Sequence, residues 1–459
     1  MNNSGNEAMR QAMWILVVAL VMCQARWVNA VETTSFRKDV APILLDNCVA
    51  CHGAKKAEGN FRIDTFAKLK TAGDSESPPV VEKKSDESEI LRRICATDID
   101  ERMPPEGDPL TADQISVIKR WIDEGAVFDG SAADAQLAAI VPPPVHPDPP
   151  VTYPSTVPIT AVAFSPDGKE LVVGGYHELS IWNVESGNLI RRIKNIGQRV
   201  HSLMFHIDGK TLAVGCGTPG KLGEVRLVEF ASGNVQKVIG TTTDVVFDAV
   251  YSPDGKRLAA GSADAMIRVF DVNSGELQRT IASHSDWIIS LAWNADGSKL
   301  AAASRDKTCK VFDTSNGELL VTYSGHNQPV KGIAFHPEGN EIFSAGGDNK
   351  LHRWKIADGA KSADVATGGE VMRLFRGDGF LFSVAADKIV RQFDAANQKA
   401  VRTMEGHADW VVSGTYHVAS KRLATGAFNG EIRIWNVGDG SLVKAFTAAP
   451  GITQAVAAK

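Results

Sequence analysis

Two cysteines and a histidine in one short segment have the spacing that covalent haem attachment requires. In Cys48-Val49-Ala50-Cys51-His52, the two thiols can add to the vinyl groups of a haem, and the histidine directly after them can ligate the iron. The chain has 6 cysteines and 11 histidines among 459 residues. The expected number of chance occurrences of this pattern in a chain of that composition is roughly 0.002. The segment therefore predicts one covalently attached haem with His52 as an axial ligand.

Two other kinds of site also use a Cys-x-x-Cys pair. A redox dithiol belongs in a thioredoxin-like context, and a structural zinc ion needs a second pair of ligands. Within residues 31–130, His52 is the only histidine and Cys95 is the only other cysteine. Haem attachment is the favoured interpretation, and a redox or metal-binding use of the cysteine pair remains the alternative.

The second axial ligand follows by elimination. Met103 is the only methionine in residues 31–130, and the single histidine there is already assigned. Pro104 and Pro105 follow directly, and consecutive prolines restrict the backbone to an extended shape that suits a fixed ligand. A core-filling role is the alternative for this methionine. Ligation by His52 and Met103 leaves no open iron position and raises the reduction potential, so it favours electron transfer over chemistry on small molecules.

Three helices are predicted around these residues. Apolar side chains at helical spacing predict one helix over residues 36–47 and another over residues 88–94. Thr111 and Gln114 form a capping box for a third helix, whose apolar stripe ends at Gly125. Trp121 lies on that stripe, and we expect it to pack against the haem or the first helix.

This region resembles the planctomycete-type cytochrome c domain, which implies a small all-α domain over residues 31–130. The resemblance rests on four segments: Asp39 to Leu44, Cys48 to Gly53, Met103 to Pro105 and Trp121 to Ala126. It implies that the haem contacts of the family fall on Cys48, Cys51, His52 and Met103. The polar and charged stretch 75–88 receives no assigned role.

A proline-rich segment separates this region from the remainder of the chain. Residues 142–158 contain 8 of the 20 prolines, and a run of small residues precedes them. This composition predicts a semi-rigid linker over residues 131–157. His146 lies in the linker, and we expect its side chain to be solvated and without a function.

The sequence from residue 158 to 447 repeats itself seven times. One equivalent position recurs with steps of 46, 42, 42, 42, 39 and 42 residues, as read from the sequence. It is occupied in turn by Trp182, Val228, Phe270, Phe312, Trp354, Phe393 and Trp435. Each unit contains three strand-like runs, turns and a fourth short strand, and this period and strand number predict a seven-bladed all-β propeller.

The units resemble WD repeats, and the resemblance implies that their histidines and aspartates bond within a blade. These residues are His284, His326 and His407 early in three units, and Asp264, Asp306, Asp348 and Asp387 before the third strand. We expect them to be structural. The second unit lacks both the aromatic and the acidic residue and contains a longer Gly215–Gly223 loop. The sixth unit is short.

The first thirty residues predict export. Trp14 to Met22 is an apolar run too short to span a bilayer, and Ala30 suits cleavage. An uncleaved anchor and lipid attachment at Cys23 are weaker alternatives. We therefore expect a periplasmic or otherwise exported protein without a membrane span after cleavage, with a C-terminal tail over residues 448–459. The isolated Cys216 and Cys309 are expected to be buried thiols.

The net charge and the motifs present in the sequence limit the functions that the protein can have. The net charge is −5 at pH 7, so nucleic acid is a poor candidate partner. The propeller region carries no zinc-protease, serine-hydrolase, phosphate-loop or calcium-loop motif. The sequence favours an electron carrier with a redox partner protein and a propeller that docks a protein. The alternatives are a haem-dependent oxidoreductase whose propeller holds a second cofactor or substrate, and a scaffold whose haem is structural.

Overall fold

The computed structural model describes residues 33–54, 56–105, 108–130, 132–143 and 145–452. The chain divides into two compact units, of which the first ends at Pro142 and the second begins at Pro143. The expected signal segment, residues 1–30, lies outside the described residues. No helix in the described ranges is long and apolar enough to cross a membrane.

The first unit is helical, as the sequence predicts, and its helices are short. A π-helical turn, Phe36–Val40, leads into α1, and two 3₁₀ turns occupy Glu58–Asn60 and Ser85–Glu87. The α-helices are α1 (Ala41–Asn47), α2 (Phe66–Leu69), α3 (Glu89–Ile94), α4 (Ala112–Asp123) and α5 (Leu137–Ile140).

The start of α4 and the packing of its tryptophan both follow the sequence prediction. Thr111 accepts a hydrogen bond from the backbone N–H of Gln114, whose side chain accepts one from the backbone of Thr111, so the capping box is formed. Trp121 is buried and its ring lies 5.2 Å from that of Phe36. This contact fixes α4 against the beginning of the first helical segment, and the indole N–H donates to the carbonyl of Val127 at 3.0 Å.

The second unit is a propeller of seven four-stranded antiparallel sheets, each made of four consecutive strands. The first four blades are β1 to β16: Val162–Phe164, Glu170–Gly174, Leu179–Asn183, Leu189–Ile193; Arg199–Phe205, Thr211–Thr218, Leu222–Glu229, Val235–Thr242; Val246–Tyr251, Arg257–Ser262, Ile267–Asp271, Leu277–Ile281; Ile288–Trp293, Lys299–Ser304, Cys309–Asp313, Leu319–Tyr323. The last three blades are β17 to β28: Val330–Phe335, Glu341–Gly346, Lys350–Lys355, Lys361–Ala366; Val371–Gly377, Phe380–Ala385, Val390–Asp394, Ala400–Met404; Val411–His417, Arg422–Ala427, Glu431–Asn436, Leu442–Thr447.

The recurring position predicted from the sequence lies on the third strand of every blade, and its side chain is buried in all seven. The first strand of each blade is innermost, and these strands pack side by side around the axis. β1 of the first blade packs against β25 of the last, and the backbone N–H of Ile159 donates to the carbonyl of Ala427 at 3.2 Å. Lateral packing between the two terminal blades therefore closes the ring, and no sheet mixes strands from the two ends.

The structure shows why the second and sixth units differ from the others in sequence. Residues 215–223 are mostly strand: β6 and β7 continue their pairing to Thr218 and Leu222, so the expected long loop is an extended hairpin. The sixth blade is short because a tight turn, with positive φ at Asp378 and Gly379, joins β21 to β22. Cys216 and Cys309 are buried free thiols, as expected, whereas Cys95 is exposed.

The segment predicted as a linker makes more contacts than a simple tether. Before Pro142, Leu137 is fully buried in the core of the first unit. After Pro143, the hydroxyl of Tyr153 donates to the fully buried carboxylate of Glu178 at 2.7 Å. His146, expected to be solvated, instead hydrogen-bonds Glu224 with its ring nitrogen Nε2 and is only 9% exposed. The buried carboxylates of blades 1 and 2 fix this segment to the second unit, and no short motif in the sequence reveals that pairing.

We expect Glu224→Gln to destabilise the second unit by about 3 kcal/mol, because it removes the negative charge that hydrogen-bonds a buried guanidinium. Arg226 is fully buried and its Nε donates to Glu224 at 2.7 Å. Denaturant unfolding checks the change in free energy. His146→Ala is the matched control: it removes the contact of the segment and keeps the Arg226 pair, so it should speed proteolysis between residues 143 and 157 with little effect on global stability. Equal stabilities of the wild type and Glu224→Gln would contradict the prediction.

Candidate functional site

The cysteine pair lies in a tight turn that continues from the end of α1. The backbone N–H groups of Cys48 and His52 donate to the carbonyls of Leu44 and Cys48, both at 3.0 Å. Cys51 N–H donates to the carbonyl of Cys48 at 3.2 Å. A helical turn of this kind brings residues three and four positions apart to one side. Cys48, Cys51 and His52 are therefore presented together.

Glycine is needed directly after His52 because the backbone closes on itself there. A Cβ atom at Gly53 would lie 2.5 Å from the carbonyl oxygen of Val49. Gly53 also donates its N–H to the carbonyl of Lys56 at 2.7 Å. A larger residue would therefore have to displace the turn that carries both cysteines.

The ring of His52 is held by a backbone carbonyl. Its Nδ1 lies 3.3 Å from the carbonyl oxygen of Phe61, and the two rings meet edge to face with centroids 5.4 Å apart. A carbonyl accepts only, so this contact requires a proton on Nδ1, and in the neutral ring the lone pair is then on Nε2. This is the usual way in which a protein fixes the tautomer and orientation of a histidine that binds metal through Nε2.

Met103 is brought to the same place by the loop after α3. Its backbone N–H donates to the carbonyl of Arg93 at 3.1 Å, which ties the loop to the end of the helix. The residue is half-buried and its peptide bond to Pro104 is cis. The thioether of Met103 and the imidazole of His52 both line one cavity.

This cavity has a volume of about 370 Å³ and a predominantly apolar lining. Its apolar walls are Phe61, Ile63, Pro79, Ile90 and Ile94, and its polar groups include Glu58, Asp74, Ser75, Glu89 and Arg93. Cys48 lines it as well. The size lies in the usual range for small-molecule and cofactor sites. The apolar walls, two thiols in one turn, an oriented imidazole and a thioether together fit an iron porphyrin.

The surroundings of Cys48 disfavour a free thiolate. Burial, together with the neighbouring Cys51, raises the pKa of Cys48 to about 12. A catalytic dithiol needs a stabilised thiolate, which means a lowered pKa. A thioether carries no charge and meets no such penalty in this apolar setting, so the surroundings of Cys48 suit thioether attachment better than a redox dithiol.

An ion-pair cluster on α3 borders the cavity and is expected to make the stability of the first unit depend on pH. Hydrogen bonds from Arg92 and then Arg93 lower the pKa of Glu89 to about 2 from its ordinary 4.5. The stabilisation is present above the ordinary pKa and is lost as the pH falls through about 2. As the pH falls from 4.5 to about 2, we expect the free energy of unfolding of the wild type to fall by on the order of 2 kcal/mol more than that of Glu89→Gln. Acid titration of unfolding free energies checks this, with the exposed Asp113→Asn as control; parallel curves for wild type and Glu89→Gln would contradict it.

The sequence left several residues of this site unassigned. Gly73, Asp74, Ser75 and Pro79 line the cavity, so part of the unassigned polar stretch 75–88 and the residues just before it form a wall. The carbonyl of Phe61 has no sequence signature, because any residue supplies one. The spacing of Glu89, Arg92 and Arg93 is a detectable helical ion-pair pattern.

The histidines of the propeller are structural, as expected. Nδ1 of His284 lies 2.8 Å from a carboxylate oxygen of Asp306, and Nδ1 of His326 lies 2.6 Å from one of Asp348. In the last blade His407 pairs instead with Glu431, at 2.9 Å. The remaining two predicted aspartates form ion pairs with arginines on the third strand: Asp264 with Arg268 and Asp387 with Arg391.

One group of three side chains in the fifth blade has the composition of a metal site but is organised by hydrogen bonds. His326, Asp348 and His352 lie together. The Nδ1 atom of His326 donates to a carboxylate oxygen of Asp348, and its Nε2 atom forms a hydrogen bond with the hydroxyl of Ser344. The Nδ1 atom of His352 forms a hydrogen bond with the hydroxyl of Tyr323 at 2.7 Å. Burial lowers the pKa of His352 to about 4, so its ring is neutral. The two imidazoles are stacked 4.0 Å apart, and parallel rings cannot both direct a lone pair at one ion.

Comparisons with known proteins agree with this division of the chain. Residues 48–107 match the family model "Planctomycete cytochrome C". Residues 149–183, 233–271, 275–313, 317–355 and 398–436 match the model "WD domain, G-beta repeat". The two blades without a match, the second and the sixth, are those whose sequences depart from the repeat.

A curated relative supports the repeat assignment over part of the chain. "WD repeat-containing protein SL1-17" of Schistosoma mansoni is 34% identical over 111 residues, which is 24% of this chain and 35% of the relative. The chain therefore spans about a third of the length of the curated relative that it matches. The similarity supports the WD-repeat assignment.

Proposed function

Because this chain joins a planctomycete-type cytochrome c domain to a seven-bladed WD-repeat propeller, we propose that it is an exported c-type cytochrome. It carries one covalently bound haem for electron transfer and uses the propeller to dock a partner protein. The observation that carries the proposal is the mostly apolar cavity lined by Cys48, His52 and Met103. Thiols, imidazole and thioether are the groups that a cytochrome c domain needs around its cofactor.

Each residue of the cavity has a distinct task in this proposal. When bound, haem supplies a one-electron iron couple. Cys48 and Cys51 would hold it through thioethers, and His52 would ligate the iron through Nε2. The carbonyl of Phe61, 3.3 Å from Nδ1, keeps that nitrogen protonated and the ring fixed. Phe61, Ile63 and the apolar side chains of α3 would cover the faces of the porphyrin.

The nature of the two candidate iron ligands favours electron transfer. His52 and Met103 would both bind the iron, and they would then leave no position on it for a substrate. In residues 31–130 the sequence carries 14 basic and 20 acidic residues. This excess of negative charge favours a redox partner with a basic surface, because complementary charges speed association.

A pyridine haemochrome spectrum of the purified exported protein tests the proposal. We expect one c-type haem per chain and no second chromophore, and reduced protein should pass electrons to a small redox protein in stopped-flow mixing. Bands from a second cofactor would favour the oxidoreductase alternative. A haem that is not reoxidised by any added acceptor would leave it with a structural role and contradict the electron-transfer function.

A further inference from the structure

The carbonyl that orients His52 belongs to a segment that is tied at both ends to the cysteine turn. The backbone N–H of Glu58 donates to the carbonyl of Cys51 at 3.1 Å, and that of Ile63 donates to the carbonyl of His52 at 2.8 Å. Between these two bonds the chain makes a tight turn, and Phe61 follows it directly. The position of the Phe61 carbonyl, 3.3 Å from Nδ1 of His52, therefore depends on the shape of that turn.

The turn before Phe61 uses an uncommon backbone conformation. Gly59 and Asn60 both have positive φ, of 61° and 52°. Glycine adopts this left-handed conformation freely, whereas asparagine persists in it where the surrounding structure holds it. The N–H of Phe61 closes the turn on the carbonyl of Glu58 at 3.2 Å. Contacts from another part of the chain are therefore needed to fix the turn.

Gly73 and Asp74 supply these contacts. The backbone N–H of Asp74 donates to the carbonyl of Gly59 at 2.8 Å. The side-chain amide of Asn60 donates to Oδ1 of Asp74 at 2.7 Å. Each of the two left-handed residues thus has its own hydrogen bond to the second segment. We call these four residues, Gly59, Asn60, Gly73 and Asp74, the clip.

Gly73 lies where the two segments of the clip touch. A Cβ atom at this position would be 2.4 Å from the carbonyl oxygen of Gly59 and 2.9 Å from the Cβ atom of Phe61. Both separations are shorter than van der Waals contact, and no change of rotamer moves a carbonyl oxygen or a Cβ atom. A larger residue at position 73 would therefore displace the turn and, with it, the carbonyl that faces His52.

We propose that the clip sets the reduction potential of a bound haem by positioning His52. Its positioning residues are Asn60, Gly73 and Asp74, and this inference rests on the proposed function. The clip holds the Phe61 carbonyl against Nδ1, and a hydrogen bond from that nitrogen makes the imidazole a more basic ligand. A more basic ligand stabilises oxidised iron, so an intact clip lowers the reduction potential.

A redox titration of the haem-loaded chain tests the clip. Asn60→Gly removes the side-chain amide and tolerates the left-handed backbone, and Gly73→Ala displaces the turn. We expect each variant to favour the reduced form by about fivefold, because the hydrogen bond of His52 is weakened; for a one-electron couple this is a rise of about 40 mV. Thr71→Ala is the matched control and should leave the potential unchanged, because the Thr71 hydroxyl donates to the carbonyl of Ala67 and lies outside the cavity.

A second measurement on the same samples follows the imidazole itself. In NMR spectra, the Nδ1 proton of His52 should exchange with solvent faster in Asn60→Gly and Gly73→Ala than in the wild type. If Gly73→Ala misfolds, Asn60→Gly alone decides, since it introduces no clash. Variants that lose stability but keep the potential of the wild type would show that the clip is merely structural, and would overturn the proposal.

The haem content of each sample separates this inference from the function on which it rests. Equal haem content and equal potentials in the wild type and both clip variants would overturn the inference and leave the proposed function intact. A wild-type chain without haem would overturn the proposed function and this inference with it.

Discussion

Replacing Cys51 with alanine is expected to abolish normal double attachment of haem, leaving apoprotein or haem held by one thioether. The reason is geometric: Cys48 and Cys51 are presented by one turn, with Cys51 N–H donating to the carbonyl of Cys48 at 3.2 Å, and each thiol can add to one vinyl group. The measurement is the haem content of the purified variant after denaturation, together with its pyridine haemochrome spectrum. We expect a shifted spectrum or none at all.

The control for this prediction is the exposed cysteine of the same domain. Cys95 lies outside the cavity and is exposed, so Cys95→Ala should leave haem content and spectrum unchanged. A Cys51→Ala protein with the same spectrum and the same denaturation-resistant haem as wild type would show that Cys51 takes no part in attachment.

Met103→Ala is expected to keep haem covalently attached while it removes the sulfur ligand from the iron. Met103 lines the cavity and is the only methionine in residues 31–130. A methionine ligand raises the reduction potential of a haem. We therefore expect the absorption band associated with sulfur ligation to disappear and the midpoint potential to fall. Optical spectra and a redox titration of the same sample measure both effects.

A second methionine substitution separates ligation from packing. Met103→Leu keeps the apolar volume and lacks the sulfur, so it should lose the band while it retains thermal stability, since such swaps usually cost below about 1.5 kcal/mol. If the band persists in both variants, another residue ligates the iron, and the core-filling interpretation of Met103 gains support.

The parts of this molecule that the sequence predicts are those governed by local patterns. The capping box at Thr111 and Gln114 is formed as predicted because both partners lie within one helical turn. Seven buried positions recur at a nearly constant period, so the blade number could be counted without a structure. The cysteine pair and His52 are likewise local, and their shared turn follows from their spacing.

The parts that the sequence does not predict depend on contacts between distant segments. His146 pairs with Glu224, 78 positions away, and nothing in the proline-rich sequence around His146 indicates that contact. His407 pairs with Glu431, which is not among the acidic residues that the sequence predicts to bond within a blade.

The most direct measurement of haem attachment is the intact mass of the chain, expressed with residues 1–30 in a host that matures c-type cytochromes. We predict a mass increased by one haem, retained after denaturation, with the added mass on the peptide that contains Cys48 and Cys51. A chain of unmodified mass, from a host that attaches haem to a reference cytochrome in the same preparation, would contradict the assignment of this protein as a c-type cytochrome.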